Sequence, residues 1–368
     1  MARKGRAANY ELLRIFAMVM VVVMHFLSHS GSLIALDVPV NGVRIAGSLL
    51  EAFCLVAVNV YVLISGYFGV RSSFKVGKVA ALLCQIWFYA LLIPIVLTVL
   101  GVSTEGAVLG VYGLIQYLFP IETEHYWFAT SYFMLYLLTP VINTAVKNMS
   151  ERRLKITLGC LLILFCGIKS VSPVVFAFDK YGYDLAWFIC VYLLAAYLGL
   201  YGWKFFEEKG WIIYIVSALT SFGITILMWF LSRYVDSFRY YFTVPFHYNF
   251  VLCLAGAVGL FYGFSHIRIG EGAAAGLIRK LGGLSFGIYL LHEHIDLRLR
   301  WYEWIKGMVN PGNKEGLLFF LWELLCCVVI LFAAGMFIDW IRSMLFAGGA
   351  RLFGKTRLFL KIKKLDEE

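Results

Sequence analysis

The chain has 368 residues, of which 61% are hydrophobic and only 15% are charged, and its formal net charge is +10. A soluble globular chain has about 45–50% apolar and about 25% charged residues, so this composition excludes an ordinary water-soluble domain. The positive charge requires no nucleic-acid partner, because basic segments beside the anionic lipid of a membrane account for it.

The apolar residues form ten blocks, most of them close to the ~20 residues that a helix needs to cross ~30 Å of hydrocarbon. Because lipid offers backbone amides no partner, we predict an all-α polytopic bundle. Prolines at positions 94 and 140 predict kinks in the third and fourth spans. The predicted spans are 10–28, 47–68, 79–100, 126–146, 154–170, 184–202, 211–231, 247–264, 281–292 and 317–339.

Basic residues are concentrated in alternate segments between these spans, which predicts their cytoplasmic side. The first span follows Arg3, Lys4 and Arg6 without a clear cleavage site behind it, so we interpret it as uncleaved. An even number of spans then leaves both termini in the cytoplasm. We predict a transmembrane domain over 1–346 and a basic cytoplasmic tail over 347–368. The predicted inner segments are 1–9, 69–78, 147–153, 203–210, 265–280 and the chain after 339.

Three ionisable residues in the first span are candidates for function, because charged side chains are costly inside a membrane. They form the run Glu11-x-x-Arg14-x10-His25. At about 100° and 1.5 Å per residue, Arg14 and His25 lie within about 20° of one helix face and ~16.5 Å apart along the axis. Glu11 precedes Arg14 by three residues and is placed to orient it.

This arrangement suits acyl transfer across a membrane. Arg14 near the cytoplasmic surface can bind the phosphates of a nucleotide-bearing donor. His25, further out, can accept a hydroxyl proton near neutral pH. The spacing is also compatible with a structural interpretation, in which Arg14 extends to the interface and His25 caps the span at headgroup level.

Four blocks follow one another along the chain: the run from Glu11 to His25, residues 59–68 ending in Ser-Gly-Tyr-Phe, residues 126–140 with Trp-Phe and a later proline, and residues 285–293 with Tyr-Leu-Leu-His-Glu. In this order they resemble the blocks of the acyltransferase family 3 membrane proteins, which show Arg-x10-His in their first span.

The resemblance implies that His25 is the catalytic histidine and Arg14 its partner, with Glu11 at a position where the family usually has Asp. It implies acetyl-CoA as the donor substrate, no permanently bound cofactor, and a hydroxyl acceptor on a cell-surface glycan or another envelope molecule. Composition and loop charge suit a bacterial plasma membrane.

Further residues are candidates for binding the donor. The basic side chains that follow the second span can bind the phosphates of CoA, and Asn59 can donate a hydrogen bond to the thioester carbonyl or to the histidine. Ordinary inner-loop charge and interhelical hydrogen bonding are the alternatives. The basic residues are Arg71, Lys75 and Lys78.

On the acceptor side, His292 and Glu293 end the ninth span, and Trp127 and Tyr132 in the fourth span can stack on a sugar ring. An interfacial cap and an aromatic belt are the alternatives for these two pairs. Glu323, about six residues into the last span, needs a partner if it is buried.

No spacing of His, Cys, Asp or Glu in the sequence predicts a metal site. The eight cysteines all fall in predicted spans and are interpreted as small buried apolar residues. The rival functions are a transporter or flippase for lipid-linked sugars, which internal repeats with broken helices would favour, and a polysaccharide polymerase.

Overall fold

The computed structural model describes residues 7–172, 174–175 and 177–367, which are helical with no strand among them. The basic residues Arg3, Lys4 and Arg6 lie outside this part of the chain. The helices of the first half are α1 Ala8–His29, α2 Gly42–Cys54, α3 Ala57–Gly69, α4 Val76–Val99, α5 Glu105–Leu109, α6 Val111–Leu118, α7 Trp127–Asn148, α8 Glu151–Leu162 and α9 Ile168–Val171.

A π-helical turn, Ile163–Gly167, joins α8 to α9, and a 3₁₀ turn, Val244–Phe246, follows α12. The helices of the second half are α10 Leu185–Tyr201, α11 Lys204–Leu231, α12 Ser237–Thr243, α13 Val251–Ser265, α14 Ala273–His292, α15 Trp301–Val309, α16 Leu317–Phe353 and α17 Arg357–Glu367.

Within the described residues, nine helical segments are long and apolar enough to cross a membrane. A tenth apolar helix, α10, is shorter and takes the sixth place in chain order. Their outer faces expose large apolar side chains, for example Leu318 at 82% and Val141 at 69%. Only lipid can cover such faces without a large free-energy cost, so the polytopic helical fold is confirmed. The nine segments are Ala8–His29, Gly42–Gly69, Val76–Val99, Trp127–Asn148, Glu151–Val171, Lys204–Leu231, Ser237–Ser265, Ala273–His292 and Leu317–Leu352.

Several predicted span boundaries are wrong. The ninth span begins at Ala273 rather than at residue 281. The prediction started too late because Arg279 and Lys280 lower the hydropathy of the first part of this helix. A helix satisfies its own backbone whatever its side chains are, so it continues into the polar region. The eighth span, predicted as 247–264, is α12 and α13 with an irregular segment at 247–250 between them.

The site depends on the pairing of α1 with α14, which run in the same direction. At one end Glu11 packs against Gly282, where an added Cβ would lie 2.6 Å from a Glu11 carboxylate oxygen. At the other end His25 meets His292. Because Gly282 has no side chain, the two helices approach closely at this point. Polar residues of α1 contact α14 at both ends of the pair.

The outer connections pack on each other beside this helix pair. Asp296, just after α14, accepts hydrogen bonds from the backbone N–H of Glu105 over 2.6 Å and from the hydroxyl of Tyr117 over 2.9 Å. The short helices α5 and α6 are thereby fixed to the segment that follows His292. The connections at 101–125 and 293–316 thus contact each other close to the end of α14.

The opposite face of the bundle carries both ends of the described chain. Asn9 at the start of α1 donates to the carbonyl oxygen of Phe264 over 3.1 Å. Asp366 in α17 accepts from the backbone N–H of Gly77 at the start of α4 over 3.1 Å. The two ends therefore lie on one face of the bundle, as an even number of crossings requires.

Candidate active site

Three polar side chains converge at the outer ends of α1 and α14. Nδ1 of His25 lies 2.8 Å from Nε2 of His292 and 3.3 Å from a carboxylate oxygen of Glu293. His292 is fully buried, whereas the side chains of His25 and Glu293 are 23% and 15% exposed. His25 is thus held from one side by two partners and keeps a partly open edge.

The hydrogen bonds fix which nitrogen of each ring carries a proton. Nδ1 of His292 lies 2.6 Å from the carbonyl oxygen of Ile288, which only accepts, so this nitrogen carries the proton. In a neutral ring Nε2 is then an acceptor, and Nδ1 of His25 donates to it. A carboxylate of Glu293 also only accepts, which favours the same proton position. Neutral His25 therefore has its free lone pair on Nε2.

A cavity adjoins His25 between the helices of the bundle. Its walls are apolar and aromatic, a surface that excludes water from polar groups inside it. The lining residues on α1 are Met18, Val21, Met24 and His25, so the cavity extends about 10 Å along the helix axis from His25 toward Arg14. The remaining lining residues are Val58, Tyr61, Trp127, Phe128, Tyr248, Phe286 and Tyr289.

Arg14 lies one turn beyond the inner part of this lining. Its guanidinium donates to Glu11 over 2.8 Å, and Glu11 is almost fully buried, so the carboxylate fixes the arginine. The hydroxyl of Tyr61, another lining residue, donates to the backbone oxygen of Arg14 over 2.8 Å. Met18 and His25 line the cavity, and Arg14 lies one turn beyond Met18 on the same side of α1, outside the lining.

Tyr289 lines the cavity, although sequence reasoning did not identify it as a site residue. Its oxygen accepts the backbone N–H of Phe128 over 3.3 Å. Among the hydrogen bonds of the described residues that oxygen only accepts, so its own hydrogen can bond to an oxygen inside the cavity. Its place in the block around His292, four positions before Glu293, is the signal that would have found it.

The three basic residues predicted to bind the donor lie on the same face of the bundle as Asn9. The guanidinium of Arg71 donates to the carbonyl oxygen of Gly199 near the end of α10. Lys75 is half-buried and precedes α4, and Lys78 is exposed in its first turn. They lie toward the Arg14 end of the bundle.

Asn59 lies in the bundle with its amide engaged on both sides. Its Nδ2 donates to the carbonyl oxygen of Tyr248 over 2.7 Å and approaches the sulfur of Cys253 at 3.4 Å. Its Oδ1 accepts the indole N–H of Trp187 over 2.9 Å. These bonds fix the irregular segment before α13, and with it Tyr248 on the cavity wall. The geometry thus gives Asn59 the interhelical role that the sequence left as an alternative.

The two aromatic residues of α7 have different surroundings. Trp127 lines the cavity and stacks with Tyr248 at 5.8 Å between ring centroids. The hydroxyl of Tyr132 lies 3.1 Å from that of Ser65, which joins α7 to α3, and Tyr132 does not line the cavity. Of this predicted pair, the structure therefore brings only Trp127 to the site.

A second histidine pair lies beyond the end of α14, where His125 and His294 are 4.4 Å apart between ring centroids. Burial lowers the pKa of His125 to about 4, so this ring is neutral at neutral pH. Its Nδ1 lies 3.1 Å from the carbonyl oxygen of Gln116. These contacts fix the outer loops, and we assign them a structural role.

Glu323 in α16 also has structural partners. Its carboxylate accepts from the amide of Asn310 over 2.5 Å and from the hydroxyl of Tyr302 over 3.2 Å. Both partners belong to the connection between α14 and α16. The buried carboxylate thus anchors this outer connection.

Three potential metal ligands, which no sequence spacing predicted as a site, come together in the structure. Ligand atoms of His25, His292 and Glu293 all lie within 4.8 Å of one another. Sequence spacing did not reveal this group, because 267 positions separate its two histidines and only the parallel pairing of α1 with α14 joins them.

The apolar helices define a multi-pass membrane protein, and its candidate site is a largely buried histidine group beside an apolar cavity. The model of acyltransferase family 3, described as an acyltransferase domain, matches residues 8–340. The chain therefore belongs to this family and is a membrane acyltransferase. Neither the curated proteins nor the solved structures that were compared contain a match to it.

Proposed function

We propose that the protein transfers an acetyl group from acetyl-CoA, supplied from the cytoplasm, to a hydroxyl of an extracytoplasmic glycan or another envelope molecule in a bacterial plasma membrane. The supporting observation is the geometry of His25. Its Nδ1 is held by His292 and Glu293, which leaves the Nε2 lone pair as the base, and the ring borders the cavity.

In the proposed reaction, Nε2 of His25 takes the proton of the acceptor hydroxyl as its oxygen attacks the thioester carbonyl carbon. A new C–O ester bond forms, and the tetrahedral intermediate collapses with cleavage of the C–S bond. The proton held on His25 passes to the departing CoA thiolate. Acetyl ester and CoA thiol are the products, and no proton is gained or lost.

The partners of His25 support this proton movement. When Nε2 accepts a proton, the ring becomes positively charged, and the Glu293 carboxylate at 3.3 Å and the lone pair of His292 at 2.8 Å stabilise that charge. The hydroxyl of Tyr289 can donate to the oxyanion of the intermediate from the cavity wall. These groups are in place before the reaction, so little reorganisation is needed.

We assign the cavity to the arm of the donor. It extends from His25 past Met18 toward Arg14, and its walls are apolar except for a few phenol and imidazole groups. In our proposal the pantetheine chain occupies it while Arg14, fixed by Glu11, holds a phosphate at its inner end. The basic residues Arg71, Lys75 and Lys78 add to the positive charge that attracts the nucleotide on that face.

The acceptor reaches His25 from the outer side. There the cavity is bordered by Trp127 and Tyr248, and Tyr183 lies 4.7 Å from Tyr248 between ring centroids. Their ring faces provide apolar surfaces for the carbon face of a sugar. Transfer at this position would leave the ester on the extracytoplasmic side.

A donor labelled separately in its acetyl and adenine groups tests this proposal in sealed vesicles that contain the protein and its envelope acceptors. We expect only the acetyl label to become covalently attached to glycan, and only when the protein is present. Covalent transfer is what distinguishes the enzyme from a flippase. Movement of both labels without attachment, or attachment that does not depend on the protein, would contradict the proposal.

Arg14→Ala should chiefly impair use of the full donor. Removing a guanidinium that binds phosphate should raise KM for acetyl-CoA by about tenfold, which corresponds to roughly 1.4 kcal/mol. Acetyl-pantetheine, which has no phosphate, should be used equally well by the variant and the wild type. Steady-state rates with the two donors measure this, with Arg268→Ala, an exposed arginine on the same face, as the control. An equal loss with both donors would assign Arg14 a structural role instead.

A further inference from the structure

We propose that His25, His292 and Glu293 form a site for one divalent metal ion of borderline softness, such as zinc, and that an ion bound there blocks the base. The site itself stands on the geometry of these three residues. Its effect on activity rests on the proposed function of His25.

The donor set is the first observation. Two imidazole nitrogens and one carboxylate oxygen are ligands that zinc takes together, with the fourth position left for water. Bonds of about 2.0–2.2 Å in tetrahedral geometry place ligand atoms roughly 3.3–3.5 Å apart. Nδ1 of His25 is already 3.3 Å from the Glu293 carboxylate and 2.8 Å from Nε2 of His292, and all three atoms lie within 4.8 Å of one another. Shifts of a few tenths of an ångström to about one ångström complete the site.

The second observation is the outer hydrogen bond of His292. A histidine that binds a metal through one nitrogen usually donates the other N–H to a carbonyl or carboxylate oxygen, which fixes its tautomer and orientation. Nδ1 of fully buried His292 lies 2.6 Å from the carbonyl oxygen of Ile288, four residues earlier in α14. Its Nε2 lone pair is therefore aimed at the centre of the three-residue group without any ring rotation.

The surroundings are the third observation. The carboxylate of Glu293 is the negative charge in direct contact with His25, and it offsets part of the charge of a divalent ion. The site lies at the outer end of the bundle, where the side chains of His25 and Glu293 keep 23% and 15% of their surface exposed. An ion can therefore approach from the outer side without crossing the apolar bundle.

Metal binding changes the tautomer of His25. The ion takes the lone pair of Nδ1, so the single proton of the neutral ring moves to Nε2. No proton is released from the ring, but the nitrogen that accepts the hydroxyl proton in the proposed reaction is now occupied. The metal-bound and the base-active states therefore exclude each other, and extracytoplasmic zinc would inhibit transfer reversibly.

Binding is tested without any acyl substrate, on purified protein in lipid nanodiscs. Calorimetric titration with zinc should show one site per chain, and cobalt should give the visible absorption of a tetrahedral site. His292→Ala and Glu293→Gln should each weaken binding by at least tenfold, whereas His266→Ala, an exposed histidine on the opposite face, should not. Glu293→Gln keeps the shape of its side chain, so it tests the ligand even if His292→Ala fails to fold.

Absence of stoichiometric binding in the wild type, or binding that neither substitution weakens, would overturn the site. In a separate transfer assay, zinc should inhibit the wild type and a chelator should restore its activity. Stimulation by zinc would overturn the proposed inhibition. Retention of transfer by His25→Ala would instead refute the proposed function, while the binding results would still decide the site.

Discussion

His25→Ala should lower kcat for acyl transfer by about 10²–10⁴-fold, the contribution usual for a positioned general base. His25 lines the cavity, and its Nδ1 is committed to His292 and Glu293, which leaves Nε2 as the nitrogen that can accept a proton. Alanine removes the base and leaves the helix intact, because alanine favours helical structure. The rate is measured with purified protein at saturating acetyl-CoA and acceptor.

The matched control is His266→Ala, which removes an exposed histidine from the opposite face. It should retain the wild-type rate, and both variants should elute as the wild type does in size-exclusion chromatography. A His25→Ala protein that is folded and still transfers at the normal rate would refute the assignment of the base.

Tyr289→Phe should lower kcat by about 10²-fold, the lower end of the range for loss of one oxyanion donor, with little change in KM. The substitution removes one hydroxyl and keeps the ring, which packs against Phe128 at 5.7 Å between centroids. The hydroxyl oxygen of Tyr289 accepts a hydrogen bond from the backbone N–H of Phe128, so the hydroxyl hydrogen remains available to donate to an oxygen of the substrate. The separate effects on kcat and KM distinguish a donor to the intermediate from a packing residue.

Tyr126→Phe provides the comparison for this effect. Its hydroxyl is also buried, but it donates to the carbonyl oxygen of Leu290 over 3.0 Å and so has a structural partner. We expect a loss of stability without a comparable loss of kcat. Equal losses of kcat in the two variants would mean that Tyr289 contributes packing alone.

The membrane fold could be predicted from the sequence because long apolar segments indicate directly which parts of the chain are surrounded by lipid. Ten apolar blocks correspond in order to ten helical segments, including the short α10. The predicted span boundaries are wrong where the ends of a helix do not coincide with the ends of an apolar segment. Around Ala273 the helix begins in a charged stretch. Residues 247–250, which were predicted to begin the eighth span, are not helical, and the hydrogen bond from Asn59 to the carbonyl oxygen of Tyr248 holds them in another conformation.

The site was only partly predictable. The spacing of Arg14 and His25 placed them on one face, since it depends on the geometry of a single helix. The contact of His25 with His292 depends on which helices pair, and sequence periodicity carries no information on that. His292 and Glu293 were therefore predicted to bind the acceptor, and the structure adds that both contact Nδ1 of His25. Their sequence block drew attention to them, but their geometric relation to His25 came from the fold.

The pairing of the first helix with the ninth crossing also governs when the enzyme becomes competent during its synthesis. His25 leaves the ribosome early, and His292 follows 267 residues later. At about 5–20 residues per second this interval lasts roughly 13–53 s. Throughout that time the nascent chain carries His25 without the two side chains that hold its Nδ1, so a chain that stalls before the ninth helix inserts has no assembled site.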